Sequence, residues 1–118
     1  MSLTLLEVIK LCSSVKLKDG SLTFDSYGSD ETRVDTMEFL YENNLTLEDA
    51  EEVINNLKPS DYRDGPIKNY DSYKKEKDLW VFKTNALRKR IYVKLIPYRK
   101  DKYIAVVSFH EDRYERGR

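Results

Sequence analysis

The sequence predicts an α+β protein in which N-terminal helices pack on a C-terminal antiparallel three-stranded sheet. Apolar residues recur at helical spacing between residues 3 and 57, and the period changes to two after residue 78. The 118 residues suffice for a single domain with one hydrophobic core, and we expect residues 1–118 to form it.

Three amphipathic helices are predicted in the acidic segment 1–59. Their inward-facing residues are predicted to be Leu5, Val8, Ile9, Cys12 and Val15 in the first, Val34, Met37, Leu40 and Tyr41 in the second, and Leu47, Ala50, Ile54 and Leu57 in the third. Asp30 and Thr46 are suited to cap the second and third helices, which should form an antiparallel pair because their connection is short. Residues 22–29 are predicted to be a loop with one extended piece at 22–24.

Residues 60–77 have no clear period and are predicted to form a basic loop, with a turn at 64–66. Three strands are predicted at 79–82, 91–96 and 103–109, within a sheet region at 78–110. The connections between them suit hairpins, which predicts an antiparallel meander. The third strand is apolar on both faces, as a central strand would be, and 111–118 reads as a charged tail.

The two halves of the chain carry opposite charge. Residues 1–61 hold 5 Lys/Arg and 13 Asp/Glu, whereas residues 62–118 hold 16 Lys/Arg and 8 Asp/Glu. A positive half in a neutral molecule favours a face that attracts polyanions. The alternative is that the halves simply attract each other on folding.

Several classes of function lack support in the composition. One cysteine and one histidine cannot build a disulfide or a histidine- and cysteine-based metal site, and the four glycines form no phosphate-binding loop. No apolar run reaches the roughly 18 residues of a membrane helix, and the N-terminus does not resemble a signal peptide. We therefore expect a soluble cytoplasmic protein with no membrane partner, metal or cofactor, in which Cys12 is a buried thiol.

A cluster suited to RNA chemistry is predicted at one end of the sheet. His110 follows the third strand, and Tyr92 and Lys94 share one face of the second. The preceding segment adds Arg63, Lys68 and Lys74, with Lys75 beside them, and Trp80 offers an aromatic ring. Cleavage of RNA by its own 2′-hydroxyl needs a proton acceptor, a proton donor and cations around the phosphorus, and histidine exchanges protons near neutral pH. The alternatives are that His110 is a plain surface residue, that Tyr92 and Lys94 form the polar side of a sheet, and that Trp80 is a core residue.

Four segments resemble the MqsR family, RelE-like messenger-RNA interferase toxins of bacterial type II toxin–antitoxin systems. They are Leu57-Lys58-Pro59-Ser60-Asp61-Tyr62, Asp78-Leu79-Trp80, Ile91-Tyr92-Val93-Lys94-Leu95 and Val106-Val107-Ser108-Phe109-His110-Glu111. With the helical segment that includes Leu45-Thr46-Leu47-Glu48-Asp49-Ala50, the resemblance covers residues 3–112. It implies a RelE-like fold, messenger RNA as the substrate and a cognate antitoxin as the partner.

By this resemblance Tyr92 falls on the family's active-site tyrosine, and His110 falls on a basic residue that is lysine in the best-known member. Lys94 matches a family lysine and is carried over as a substrate contact. The chain departs from the pattern at Asp64, where the family has lysine, and at Val81, where it has glutamine; Lys68 is the nearest replacement cation.

The leading hypothesis is a metal-independent endoribonuclease that leaves 2′,3′-cyclic or 3′-phosphate ends. His110 would act as general acid or base, Tyr92 as its partner or as a phosphate donor, and Lys94 with Lys68 as the phosphate clamp. A non-catalytic protein-interaction module and an RNA-binding regulator without turnover remain open.

Overall fold

Three helices and five strands make up the part of the chain that the computed structural model describes, residues 3–24, 30–67, 78–98 and 100–112, with backbone alone at 30–35. The helices are α1 (Leu5–Ser14), α2 (Asp30–Glu42) and α3 (Leu47–Asn55), followed by a 3-10 turn at Pro59–Asp61. The strands are β1 (Leu22–Phe24), β2 (Tyr62–Ile67), β3 (Leu79–Ala86), β4 (Lys89–Tyr98) and β5 (Tyr103–Glu111).

The described strands form one mixed sheet in the order β1-β5-β4-β3-β2. The β2–β3, β3–β4 and β4–β5 pairs are antiparallel, and β1 lies parallel to β5. The predicted α+β class fits this architecture, but the predicted three-stranded antiparallel sheet is wrong. β5 is second in the sheet and buried from Ile104 to Phe109, which agrees with its apolar character on both faces.

The predicted sheet lacks the two outer strands of the described sheet, although the extended piece predicted at 22–24 coincides with β1. β1 has only three residues, and its partner β5 lies near the other end of the chain. β2 contains Gly65 and Pro66, which predicted a turn but lie inside the strand, where the pairing with β3 shifts register twice. Irregular pairing of this kind lets glycine and proline occupy an outer strand. The predicted basic loop 60–77 is therefore wrong for 62–67, and its remaining part, 68–77, lies outside the described residues.

The β3–β4 hairpin is longer and tighter than predicted. β3 continues to Ala86 and β4 begins at Lys89, so Leu87 and Arg88 alone form the turn. The predicted connection at 83–90 is wrong because the alternation continues past Phe82: Lys83 is half-buried, Thr84 is 7% exposed and Asn85 is exposed.

Helices α1 and α3 agree closely with their predicted spans. Thr4 and Thr46 each form a capping box, with Glu7 and Asp49 respectively. Asn55 in α3 donates from its amide to the carbonyls of Cys12 and Val15, which joins the end of α1 to α3. The predicted buried state of Cys12 is confirmed.

Helix α2 has the predicted span but a different inward face. Met37 is 45% exposed and Tyr41 is 86% exposed, so their predicted burial is wrong, whereas the burial of Leu40 is confirmed. The buried residues Thr36, Phe39 and Leu40 define a face rotated from the predicted one, and the side chain of Val34 lies outside the described residues. α2 packs mainly on β5 and α3 on α1, so the predicted antiparallel α2–α3 pair is also wrong.

The hydroxyl of Thr36 shows how α2 is attached to the sheet. Its Oγ1 accepts a hydrogen bond from the backbone N–H of Phe109, at 3.2 Å, beyond the point where β1 stops pairing with β5. Helix α2 thereby satisfies a strand group that β1 does not reach. None of the described helices is both long and apolar enough to cross a bilayer.

The main core lies between the helices and one face of the sheet. Its fully buried members include Val8 and Ile54 from the helices and Ile91, Val93 and Phe109 from the strands. Since side chains alternate along a strand, Tyr92, Lys94 and His110 project from the opposite face. We call this the second face of the sheet.

Candidate functional site

The register of the central strands aligns three chemically active side chains in one row. Tyr92 of β4 pairs with His110 of β5 on one side and with Lys83 of β3 on the other. Residues directly opposite in an antiparallel pair share a face, so the three side chains lie next to one another on the second face. We call Lys83, Tyr92 and His110 the first row.

The rings of Tyr92 and His110 are stacked. Their centroids are 5.2 Å apart and their planes differ by 12°. Both residues are half-buried. Stacking fixes the orientation of the imidazole without using either of its nitrogens.

A backbone carbonyl sets the tautomer of the neutral imidazole. Nδ1 of His110 lies 2.9 Å from the carbonyl oxygen of Glu111. A carbonyl can only accept a hydrogen bond, so this contact requires the proton on Nδ1. In the neutral ring Nε2 then carries the lone pair and can accept a proton from a substrate.

Lys83 is held by a buried carboxylate. Its Nζ lies 3.2 Å from Oδ2 of Asp112, whose side chain is fully buried, and the side chain of Lys83 is 24% exposed. The backbone N–H of Asp112 donates to the carbonyl of Arg90 at 2.8 Å, which extends the β4–β5 pairing past the end of β5. The ion pair thus connects β3 with the residue after β5 and keeps an ammonium group beside Tyr92.

A second row lies two residues further along the strands. Lys94 pairs with Ser108 on β5 and with Val81 on β3, and Val81 pairs with Asp64 on β2. Lys94 is half-buried and Ser108 is 5% exposed. Asp64 and Val81, the two departures from the MqsR-like pattern, are therefore direct neighbours in this row, and the first row contains neither of them.

The other predicted site residues are not brought to the first row. Nη1 of Arg63 donates to the carbonyls of Ser60 and Tyr62, which holds its guanidinium at the start of β2. Trp80 is 3% exposed and packs against Tyr62 in the main core, so its ring is a core element and no surface for a base. Lys68 and Lys74 lie outside the described residues.

Lys83 and Asp112 are the functional candidates that sequence reasoning missed. The sequence pattern favours a hairpin connection for Lys83 and a charged tail for Asp112. Continuing the two-residue alternation past Phe82 places Lys83 on the polar side of β3, and the spacing of His110 and Asp112 places both on one side of β5. Those two periodicities were the available signals.

Within the described segments, no three histidine, cysteine, aspartate or glutamate side chains are grouped so that they could hold a metal ion. Comparisons with protein-family models, curated proteins and solved structures found no match for this chain.

Proposed function

We propose that this protein is an MqsR-like endoribonuclease, a toxin that cleaves messenger RNA in the cytoplasm and is held inactive by an antitoxin protein. The observation that carries the proposal is the stacked Tyr92–His110 pair with the ammonium of Lys83 beside it. Such a row combines an imidazole, a phenolic hydroxyl and an ammonium group that its ion pair with Asp112 holds in place. RNA cleavage through the 2′-hydroxyl needs a proton acceptor, a proton donor and cations, and these three groups can serve in those roles.

In the proposed reaction the 2′-oxygen of the ribose attacks the adjacent phosphorus. One member of the Tyr92–His110 pair takes the proton of the 2′-hydroxyl, and a protonated group returns a proton to the 5′-oxygen as the bond between phosphorus and that oxygen breaks. The products are a 2′,3′-cyclic phosphate and a free 5′-hydroxyl, so protons and bonds balance without a metal or a redox partner. The cyclic ester can open to a 3′-phosphate.

The cations around the row would stabilise the charged phosphorane. Lys83 lies next to Tyr92, and Lys94 lies two residues from it on the same face. Positive charges that are fixed before the reaction stabilise developing negative charge with little reorganisation. The antitoxin would prevent cleavage most directly by covering this face.

The test is cleavage of a messenger-RNA transcript in buffer that contains EDTA. We expect cleavage to continue, and we expect products with cyclic or 3′-phosphate ends and free 5′-hydroxyls. Once the cleavage site is mapped, a single 2′-deoxyribose at that position should abolish cleavage there while leaving binding nearly unchanged, because the phosphates remain and the nucleophile is lost.

His110→Ala should reduce the cleavage rate by roughly 10²–10⁴ and keep RNA binding, since one positioned acid–base group is removed. Glu111→Ala is the matched control, because it leaves the backbone carbonyl that contacts His110 in place. Expression of the wild-type chain without an antitoxin should arrest bacterial growth, and His110→Ala should be tolerated better. Cleavage that stops in EDTA, or that survives the deoxy substitution, would reject the mechanism.

A second function is favoured by the other row. Asp64 places a carboxylate, and Val81 an apolar side chain, where the MqsR-like pattern has lysine and glutamine. An RNA-binding or protein-interaction module with the same fold would tolerate both changes. RNA binding without any cleavage, by a folded wild-type protein, would identify this second function.

A further inference from the structure

The turn between β3 and β4 has an unusual backbone. Leu87 and Arg88 form a two-residue hairpin turn with φ values of 55° and 63°. Turns of this kind normally use Asn-Gly or similar pairs, because residues with a bulky side chain rarely adopt positive φ. Both residues are thus held in a disfavoured conformation by the structure around them, which is a common property of functional positions.

Leu87 explains how the turn is held. Its side chain is half-buried and packs on the main core. On this side of the hairpin, Leu87 and Ala86 border a groove of about 280 Å³ whose other walls include Val53, Asp49 and Glu52 of α3. One side of the turn is therefore anchored to a helix and faces carboxylates.

The other side of the turn is concave and positively charged. A shallow cavity of about 430 Å³ is lined by Asn85, Ala86, Arg88, Lys89 and Arg90. Three of these five described residues are cationic and none is acidic. An anion would be attracted to this cavity and repelled from the groove beside α3.

The guanidinium of Arg90 is oriented within the cavity. Its Nη1 donates to Oδ1 of Asn85, at 3.3 Å, and the two residues are register partners. The amide nitrogen of Asn85 and the exposed guanidinium of Arg88 add further hydrogen-bond donors. Guanidinium and amide donors on a concave surface suit phosphate oxygens.

This cavity continues the candidate site. Asn85 and Arg90 form the next row after Lys83–Tyr92–His110 on the second face. Two residues along a β-strand correspond to about 6.6 Å. An RNA chain that crosses the first row and runs parallel to β3 and β4 would therefore place a neighbouring phosphate at the hairpin end.

We propose that the hairpin end, defined by Asn85, Arg88, Lys89 and Arg90, binds RNA phosphates next to the one that is cleaved. This inference rests on the proposed function, and it adds a binding subsite that the MqsR-like residues do not include. The strained turn serves the subsite by fixing Leu87 on the core while Arg88 remains exposed.

The test measures the salt dependence of binding, with a short single-stranded RNA of mixed sequence in which every 2′-hydroxyl is methylated so that it cannot be cleaved. Arg88→Ala with Lys89→Ala should flatten the slope of log affinity against log salt by about one to two units. Lys10→Ala with Lys18→Ala is the matched control, because it removes two exposed lysines from the helical part and should leave the slope unchanged.

Arg88→Ala alone should flatten the slope by about 0.7, since each phosphate contact on a single strand contributes that amount. Arg88→Lys should restore most of the slope because it keeps the charge. Arg88→Ala alters only an exposed side chain, so this single variant still tests the inference if Lys89→Ala impairs folding. Equal slopes for the hairpin and control variants would overturn the subsite. If the same wild-type preparation still cleaves unmethylated RNA, the proposed function itself stands. A wild-type protein that neither binds nor cleaves RNA would overturn both.

Discussion

The ammonium of Lys83 and the carboxylate of Asp112 meet at 3.2 Å across the end of β4, and the carboxylate is fully buried. The two residues differ in their access to water, because the side chain of Lys83 retains 24% exposure. Removing Lys83 takes a cation away from a fully buried carboxylate, whereas removing the carboxylate leaves a partly exposed ammonium group. Substitution of Lys83 and substitution of Asp112 should therefore lower the free energy of unfolding by different amounts.

Lys83→Met should destabilise the fold more than Asp112→Asn. The first change removes a cation from beside a fully buried carboxylate, at a cost of about 3–5 kcal/mol. The second leaves a lysine that can turn to water, and the neutral amide that replaces the carboxylate costs about 1–3 kcal/mol. The double variant should recover part of the loss. Urea unfolding measures the three free energies of unfolding, and an equal loss for the two single variants would contradict this interpretation of the pair.

Tyr92→Phe should retain more cleavage than His110→Ala, because the substitution deletes one hydroxyl and keeps the ring that stacks on His110. Tyr92→Ala removes the ring as well, so the imidazole loses its stacking partner and the rate should fall further. The measurement is single-turnover cleavage at saturating enzyme, which separates the chemical step from binding. A Tyr92→Phe variant as inactive as His110→Ala would assign the phenolic hydroxyl a direct part in proton transfer.

Gly65→Ala should destabilise the protein by about 3 kcal/mol, because it combines positive-φ strain with overpacking. Gly65 has a φ of 127°, and a Cβ there would lie 2.8 Å from the carbonyl oxygen of Leu79 and 3.0 Å from Cα of Trp80. Gly20→Ala is the matched control. Its φ is 80° and a Cβ would meet nothing within 4 Å, so only the backbone conformation is penalised, by about 1 kcal/mol. Thermal unfolding of both variants provides the comparison, and similar losses would show that β2 can move away from β3.

Cys12 should be unreactive towards thiol reagents in the folded protein at pH 8 and should react after unfolding in denaturant. Burial raises the pKa of the Cys12 thiol from 9.0 to about 12. Between pH 9 and pH 12 the unfolded chain loses the thiol proton while the folded chain keeps it. The contribution of this thiol to the free energy of unfolding is therefore fully present below pH 9 and is lost as the pH rises above 9. The loss from this group is about 1.4 kcal/mol per pH unit. Cys12→Ala should show a shallower decline between pH 9 and pH 11, and an identical decline would exclude the thiol as a contributor.

The short connection between the two strands is enough to predict that Tyr92 and His110 lie on neighbouring antiparallel strands. The sequence does not contain their register, which depends on the length of the β4–β5 connection and on a bulge in β5, where Val107 is an extra residue between the partners of Lys94 and Leu95. Lys83 was missed because the apolar run ends at Phe82, and a charged residue after such a run resembles the start of a turn. The burial of Asp112 depends on tertiary contacts, among them the ion pair with Lys83, which a local pattern does not encode.

The outer strands β1 and β2 are difficult to predict from the sequence for a different reason. β1 pairs with a strand near the far end of the chain, and no local pattern encodes a parallel partner at that distance. β2 carries Gly65 and Pro66, whose intrinsic preferences indicate a turn, and the bulged pairing with β3 overrides them. Local propensity predicted α1 and α3 well, because helix caps and periodic faces are short-range features, as at Thr46. The inward face of α2 was not predicted, because it depends on packing against β5.

The parallel pairing of β1 with β5 has a consequence for the speed of folding. The hydroxyls of Thr23 and Tyr103 are 2.7 Å apart, although the residues are separated by 80 positions in the chain. Closing a loop of that length loses chain entropy before the contact can form and stabilise the fold. Proteins rich in such distant contacts therefore fold slowly. The β3–β4 and β4–β5 hairpins need only short closures. The second face that carries Tyr92 and His110 is thus expected to assemble early, and the docking of β1 on β5 is the step that should limit the rate.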